Sequence, residues 1–582
     1  MIYVNFISSM ITGVICVISL LIIVHRSRTT KNCICIRIHN NISWTGFSWL
    51  SILILLVLIS IRLYEFGNVP SWYNIDEAMS AYDANSISLY GTDHLGNRLP
   101  VHMQAWGFTN QSSFLAYLIS ISIRIFGYNI YAVRLPLFVL SIIGAIFCAL
   151  LVKELIDASA GNLTLLICCF NPWHLVQSRY SIDCNVFPHI LMIGMFLFVL
   201  AIKHYKASCL YFGVATLAIS MYSYVVAIYS VPIFLLILAI YLLKKNYIKI
   251  KHLMISIAIF MFISSPILLT FILNALGLNH SIVTPLFTIP TLSATTRKGD
   301  LLFYSDNIFN QLINNILSVF KVAFLQPDCG PWDTVEHYGT MFHCMAVFSV
   351  LGIIYFFLLF RKKRNRIKNA FSDGWFVLID WGIMSLIVGV LTDDITVIRR
   401  FNVFYYLQII FIVMGFIAIY QYSIKALAGI VLLYCFIGVL LLYSYFNSYA
   451  GQFRGNDSIT ACFPEALKKA KEYKCDHYYI SSAGTGKDTP YISEIYTLTV
   501  FNIDSQYYLD KTTCSYDIDY GKYYDEQFQY VDFDSSENYQ DDKSVCVVNT
   551  GTDSIFSDEE YTKYYFGIYT TIVPKNLDLV HS

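Results

Sequence analysis

Asp76 and Glu77 stand side by side in the stretch SWYNIDEAMSAYDANSISLYGTDHLGNRLP, which opens at Ser71 just after a hydrophobic run. An ionised carboxylate held near a lipid boundary is costly unless it has a partner or a task. One of the pair is therefore a candidate general base for an acceptor hydroxyl. The same pair also fits a solvated loop or a helix N-terminal cap. Asp83, Asp93 and His94 follow within the stretch, and Arg134 in the later run IFGYNIYAVRLP marks its far end.

Two further polar sets accompany the first. One spans Arg179 to Asn185, in NPWHLVQSRYSIDCN. The other joins Arg297 and Lys298, the run QPDCGPWDTVEHYGTMF from Gln326 to Phe342, Asp393 and Asp394, and Arg399 and Arg400. Carboxylates beside guanidinium groups suit a reaction in which a base deprotonates a hydroxyl while fixed cations stabilise a departing phosphate. Arg399 and Arg400 read as an anion site or as partners of Asp393 and Asp394. Arg134 reads as functional or as an interfacial anchor. His337 and His343 fit structural roles better than metal ligation, and no Cys/His spacing resembles a zinc site. The many Tyr and Trp residues serve chiefly as interface belts.

The elements that carry these residues follow from composition. Of 582 residues, 56% are hydrophobic and 13% charged, with a mean hydropathy of +0.56; soluble chains carry about 25% charged residues. About twelve apolar stretches reach spanning length, at 4–24, 46–64, 131–153, 159–178, 186–204, 208–225, 226–243, 253–275, 340–360, 375–391, 401–420 and 426–446. Arg26, Arg28, Lys31 and Arg37, then Lys203 and Lys206, then Lys244, Lys245, Lys249 and Lys251, then the run Arg361 to Lys368, and finally Lys425 fall in alternate loops. The positive-inside rule places all of them in the cytoplasm. Loops 65–130 and 276–339 and the tail 447–582 then share the outer face. The first stretch reads as an uncleaved span, since it lacks a basic start and a small-residue cleavage site. SFLAYLISISIRIF, at 113–126, reads as a helix lying at the membrane surface.

The predicted organisation is an extra N-terminal span with its basic loop (1–45), a membrane core (46–446) and an outer α/β domain (447–582). Beyond Phe446 the chain holds about 22 Asp plus Glu against 11 Lys plus Arg, so the membrane core carries the basic surplus, which sets topology and gives no sign of nucleic-acid binding. Pro464 to Lys471 reads as an amphipathic helix and Asp476 to Ser481 as a strand. Cys462, Cys475, Cys514 and Cys546 allow two disulfides or four thiols. The chain shows no P-loop, dinucleotide fingerprint or internal repeat.

The order of motifs resembles the bacterial branch of glycosyltransferase family 39, in the GT-C superfamily, which includes protein O-mannosyltransferases and the lipid A aminoarabinose transferase. The resemblance rests on Asp76-Glu77-Ala78, on Gly91 to Pro100, on Phe126-Gly-Tyr-Asn with Arg134-Leu-Pro136, and on Asn171-Pro-Trp-His with Ser178-Arg-Tyr. Trp332 to Phe342, Arg399-Arg-Phe-Asn-Val-Phe-Tyr-Tyr, Tyr445-Phe446 and Phe463-Pro-Glu-Ala-Leu complete it, so it runs from about residue 46 onward. It implies a polytopic helical GT-C protein of the cytoplasmic membrane, moving a sugar with inversion from a polyprenyl-phosphate donor to a glycan, lipid or protein acceptor. Asp76 would be the general base. Glu77 would organise the loop and contact acceptor or a divalent metal, no other cofactor being implied. Arg134, Arg399, Arg400 and Arg179 would serve the donor phosphate, and Asp93 and His337 the acceptor or the loop. The Lys-Pro-Pro segment of the aminoarabinose transferases is replaced by Gln111-Ser-Ser-Phe, and the MIR domain of eukaryotic mannosyltransferases is absent. These departures weigh against lipid A and protein as acceptors. The rival readings are a transporter or flippase of lipid-linked sugars, and a membrane scaffold displaying the tail; the nearly charge-free spans, Asp380 excepted, speak against transport.

Overall fold

A computed structural model describes residues 48–577 apart from breaks at 107–109, 279–280, 293–301, 306, 331, 367–372, 393–397, 450–458, 476, 483–489, 507–526, 532, 534–538 and 540–542. The first expected span and its basic loop lie outside the described residues, as do Arg297, Lys298, Asp393, Asp394 and Cys514. Each of the other eleven apolar stretches contains a helix. The first is α1 (Trp49–Leu63), whose N-cap Ser48 accepts a bond from the Ser51 amide. The loop that follows folds as α2 (Ile75–Tyr90), a short antiparallel pair β1 (His102–Gln104) and β2 (Asn110–Ser112), and α3 (Ser113–Phe126). Leu115, Ile119 and Ile123 of α3 pack with Ala78 and Met79 of α2, while Ile121, Ile125 and Phe126 are exposed. That two-faced packing is what a surface-lying helix requires.

The helical body follows as α4 (Ile130–Leu155), α5 (Ala158–Phe170), α6 (Pro172–Gln177), α7 (Phe187–His204), α8 (Ala207–Ser220), α9 (Val225–Lys244) and α10 (Ile250–Ala275). After the strands β3 (Ile282–Val283) and β4 (Thr288–Ile289) comes α11 (Ile308–Phe320), a helix where the sequence reading placed only loop. It has the length and apolarity of a span when counted with the turn to Leu325, yet Asn315 bonds to the Val390 carbonyl and Gln408 to the Ala323 carbonyl. The chain continues through α12 (Met345–Arg366), α13 (Phe376–Leu391), α14 (Tyr405–Tyr420) and α15 (Ile424–Ser444). Helices α12 and α14 approach closely because Gly352 and Gly415 face one another's backbone: a Cβ on either would run into the carbonyl of Phe411 or Phe348. Several helices are both apolar and long enough to cross a bilayer. The chain is a multi-pass membrane protein.

The tail folds as α16 (Ile459–Lys471), β5 (His477–Ser481), α17 (Pro490–Phe501), β6 (Phe528–Val531), β7 (Ser544–Asn549), β8 (Tyr561–Phe566) and β9 (Tyr569–Pro574). The strands form one mixed sheet in the order β6-β5-β7-β9-β8, with β5 parallel to both neighbours. Phe463, Leu467 and Ala470 of α16 and Ile492, Tyr496 and Val500 of α17 pack with Ile480, Val545 and Val547 of the sheet. No disulfide joins Cys462, Cys475 and Cys546 to one another. This unit rests on the outer loop: the Tyr496 hydroxyl donates to the Tyr73 carbonyl at 3.0 Å and Trp106 Nε1 to Glu494 Oε1 at 2.9 Å.

Candidate active site

Helix α2 begins at Ile75 because Asn74 caps it. Asn74 Oδ1 accepts the Asp76 amide at 3.0 Å, and Glu77 Oε2 accepts the Asn74 amide at 3.2 Å, a reciprocal capping box. Both carboxylates therefore sit in the first turn, where the helix dipole favours negative charge.

Their surroundings differ. Glu77 is fully buried. Its Oε1 accepts Arg134 Nε at 2.9 Å and the Ser181 amide at 3.0 Å, and its Oε2 accepts Arg134 Nη2 at 3.0 Å. Arg134 donates further to the carbonyls of Pro70 and Trp72. This fork ties the end of the α1 loop, the start of α2, the start of α4 and the segment after α6 into one unit, and bidentate geometry makes it strong. Asp76 points the other way, with a side chain 45% exposed, and its Oδ2 lies 3.6 Å from Arg399 Nη1.

Arg399 bridges two carboxylates, since its Nε is 3.1 Å from Asp333 Oδ1. Burial opposes its charge, but Asp333 and Asp76 outweigh that and raise its pKa. The Asp333 carboxyl is raised by burial despite Arg399. Arg399 is positioned by its neighbour Asn402, which donates to the Cys184 carbonyl at 3.1 Å and accepts Trp173 Nε1 at 3.0 Å. Asp183 stands in the same electrostatic neighbourhood as Asp76. Its two oxygens accept the Ser112 and Cys184 amides at 3.1 and 2.7 Å. Gln111 Nε2 donates to the Asp76 carbonyl at 2.9 Å and to the Ser80 hydroxyl, fixing β2 against α2. Asp76 and Asp333 thus flank one guanidinium, with Asp183 in the electrostatic reach of Asp76.

The remaining expected residues fall elsewhere. Arg134 and Arg179, expected at the donor phosphate, are both buried, and their guanidinium groups bond to the chain itself. Arg179 donates to the carbonyls of Val69, Arg62 and Glu65 and lies against Tyr445 and Phe446. Arg400 is partly exposed beside Arg399, within electrostatic reach of Tyr229. Asp93 is buried and closes a turn, accepting the Leu95 and Asn97 amides and the Asn97 side chain. His337 lies on a half-exposed turn, its amide bonded to Asp328. Both thus organise loops, and neither meets Asp76. Glu77, with both oxygens bonded inward, faces no metal position, and among the described residues no group of three or more His, Cys, Asp or Glu is arranged to hold one. Asp183 and Asp333 belonged to the polar sets noted in the sequence, but nothing in their local spacing singled them out.

This multi-helix body has counterparts among known proteins. The family model described as dolichyl-phosphate-mannose-protein mannosyltransferase matches residues 110–269. The structure of ArnT from Cupriavidus metallidurans bound to undecaprenyl phosphate aligns with a TM-score of 0.51 at 10% identity, over 90% of this chain and 97% of that one. The Archaeoglobus fulgidus oligosaccharyltransferase, in a complex with zinc and sulfate, aligns with a TM-score of 0.48 at 13% identity over 78% of this chain; the chain spans 61% of that protein's length. No curated protein matches. The matched family model and the likeness of fold to ArnT agree with the resemblance drawn from the motif order.

Proposed function

We propose that this protein transfers a sugar from a polyprenyl-phosphate donor to an acceptor hydroxyl at the outer face of the cytoplasmic membrane, with inversion at the anomeric carbon. The observation that carries this reading is the split of the acidic pair: Glu77 is locked to Arg134 while Asp76 is held half-exposed at the helix start, facing Arg399. In the proposed step Asp76 takes the hydroxyl proton as the acceptor oxygen bonds to the anomeric carbon, and the bond to the phosphate oxygen breaks. Arg399, with Arg400 beside it, offsets the charge on the departing lipid phosphate. One displacement needs no covalent intermediate, so Glu77 need not be a nucleophile. The lipid phosphate bound by ArnT and the matched family model support this donor class.

Asp76→Asn tests the reading. It keeps size and polarity and cannot take a proton, so turnover should fall by about 10²–10⁴-fold with donor binding retained. Near-normal turnover in a folded, donor-binding Asp76→Asn protein would overturn it.

A further inference from the structure

At the end of the helical body away from Asp76, α7 to α10 enclose an apolar groove of about 320 Å³, within the range of about 300–1,000 Å³ usual for ligand pockets. Phe198 of α7, Leu210 of α8, Leu236 and Ile240 of α9, and Ile257 and Phe260 of α10 are among its walls. Leu236 and Ile240 are 63% and 58% exposed, so the groove opens sideways onto the surface that faces lipid. Its lining is hydrocarbon apart from Ser256. The start of α9 is at the site end, because Tyr224 lies in the field of Asp183 and Arg399. Leu243, in the groove wall, is eighteen residues past Val225, about 27 Å along the helix.

The loops that close this end are basic. Lys203 stands in the last turn of α7 and Lys206 just after it, Lys244 ends α9, Lys245 and Lys249 follow in the loop, and Lys251 lies in the first turn of α10. Tyr205 and Tyr247 stack at 5.4 Å, and the Tyr211 hydroxyl is 2.7 Å from His252 Nδ1. These contacts bring both loops to one rim. Lys203 pairs with Glu154 at 2.8 Å and Lys245 meets Asp373 at 3.8 Å. Lys244, Lys249 and Lys251 are exposed.

We propose that the groove holds an acyl chain of an anionic glycerophospholipid from the leaflet on this side, its phosphate seated among Lys244, Lys249 and Lys251. The opening toward lipid selects a hydrocarbon chain over a soluble ligand, and the cationic rim selects an anionic headgroup. The donor lipid is a poor occupant, because its phosphate belongs at the opposite end of α9. Each lysine near an anionic headgroup contributes roughly a five-fold preference.

The test is native mass spectrometry of the full-length detergent-purified protein with phosphatidylglycerol and phosphatidylcholine of identical chains. Wild type should retain one phosphatidylglycerol with a preference of about ten-fold or more. The triple variant Lys244→Gln, Lys249→Gln, Lys251→Gln should bind both lipids alike, and Leu236→Trp with Ile240→Trp, which fills the groove, should bind neither tightly. If the filled variant fails to fold, the lysine variant decides. Equal retention of the two lipids by wild type, an undiminished preference in the lysine variant, or displacement of the bound lipid by undecaprenyl phosphate at equal concentration would overturn the proposal.

Discussion

One capping box gives the two adjacent carboxylates of α2 different work. Asn74 and Glu77 close the helix start, and Glu77 is then consumed by Arg134 and the Ser181 amide, leaving Asp76 as the carboxylate that meets solvent and Arg399. Glu77→Gln breaks a buried ion pair, a change that costs about 3–5 kcal/mol. It should lower the melting temperature and donor binding together, whereas Asp76→Asn should affect turnover alone; thermal unfolding beside single-turnover kinetics separates them. Arg399→Ala should weaken use of the lipid donor more than Arg400→Ala, because Arg399 is fixed by Asp333 and Asp76 and an interaction with a charged group is worth about 1.5–3 kcal/mol. Equal donor dependence in both variants and wild type would remove the phosphate from this pair. The acidic pair was legible because it is local in sequence. Asp333 reaches Asp76 through Arg399, and Asp183 is held near it by the Ser112 and Cys184 amides, contacts that no spacing rule encodes. Arg134 and Arg179 looked like outer-face cations because sequence does not reveal that carbonyls at Pro70, Trp72, Val69, Arg62 and Glu65 surround them.

Between α2 and α17 lies a second titratable cluster with a different consequence. His94 Nδ1 is 2.8 Å from Asp83 and its ring stacks on Trp106 at 3.9 Å, while Trp106 donates to Glu494. Burial pushes the Glu494 carboxyl up to about 8, and burial with the nearby Asp83 pushes Asp93 up to about 6. Burial acts to lower His94, yet Asp83 leaves it raised. All three groups hold protons in the folded state that the unfolded chain releases earlier, so each contributes stability that is lost as pH rises. For Asp93 that loss runs from about 3.8 to 6, for Glu494 from about 4.5 to 8, and for His94 it begins above 6.5. Hydrogen exchange in α2 and α17 should therefore quicken between pH 5 and 8 beyond the intrinsic rate. Glu494→Gln keeps an acceptor for Trp106 without a proton to lose, so it should flatten part of that rise. An identical pH response in Glu494→Gln would dismiss Glu494 as its source. The tail helix and strand were legible from their period. Their docking on the outer loop was not, since Trp106 and Glu494 are 388 residues apart.

For the whole molecule, one contact constrains how the chain threads the bilayer. Tyr496 in the tail bonds to Tyr73 in the first loop, so these two segments occupy the same side. Read as crossings, α4, α5 with α6, α7, α8, α9, α10, α12, α13, α14 and α15 number ten, an even count that returns the chain to that side. Counting α11 as an eleventh would put the tail opposite the loop it touches. The bonds of Asn315 to Val390 and of Gln408 to Ala323 agree, since they hold the middle and the end of that stretch against the last turn of α13 and the first turn of α14. Sequence alone missed α11 because asparagines and Gln311 break its apolar run, but the alternation of lysine-bearing loops had already implied an even path. We expect a reporter fused after Gly451 to read the outer side, one after Lys251 the cytoplasmic side, and one after Pro327, beyond α11, the outer side again. If the fusions after Lys251 and Gly451 report the same side, the path of the whole bundle is wrong. If the Pro327 and Gly451 fusions both read cytoplasmic, α11 crosses the bilayer and the Tyr496–Tyr73 contact cannot form in the membrane.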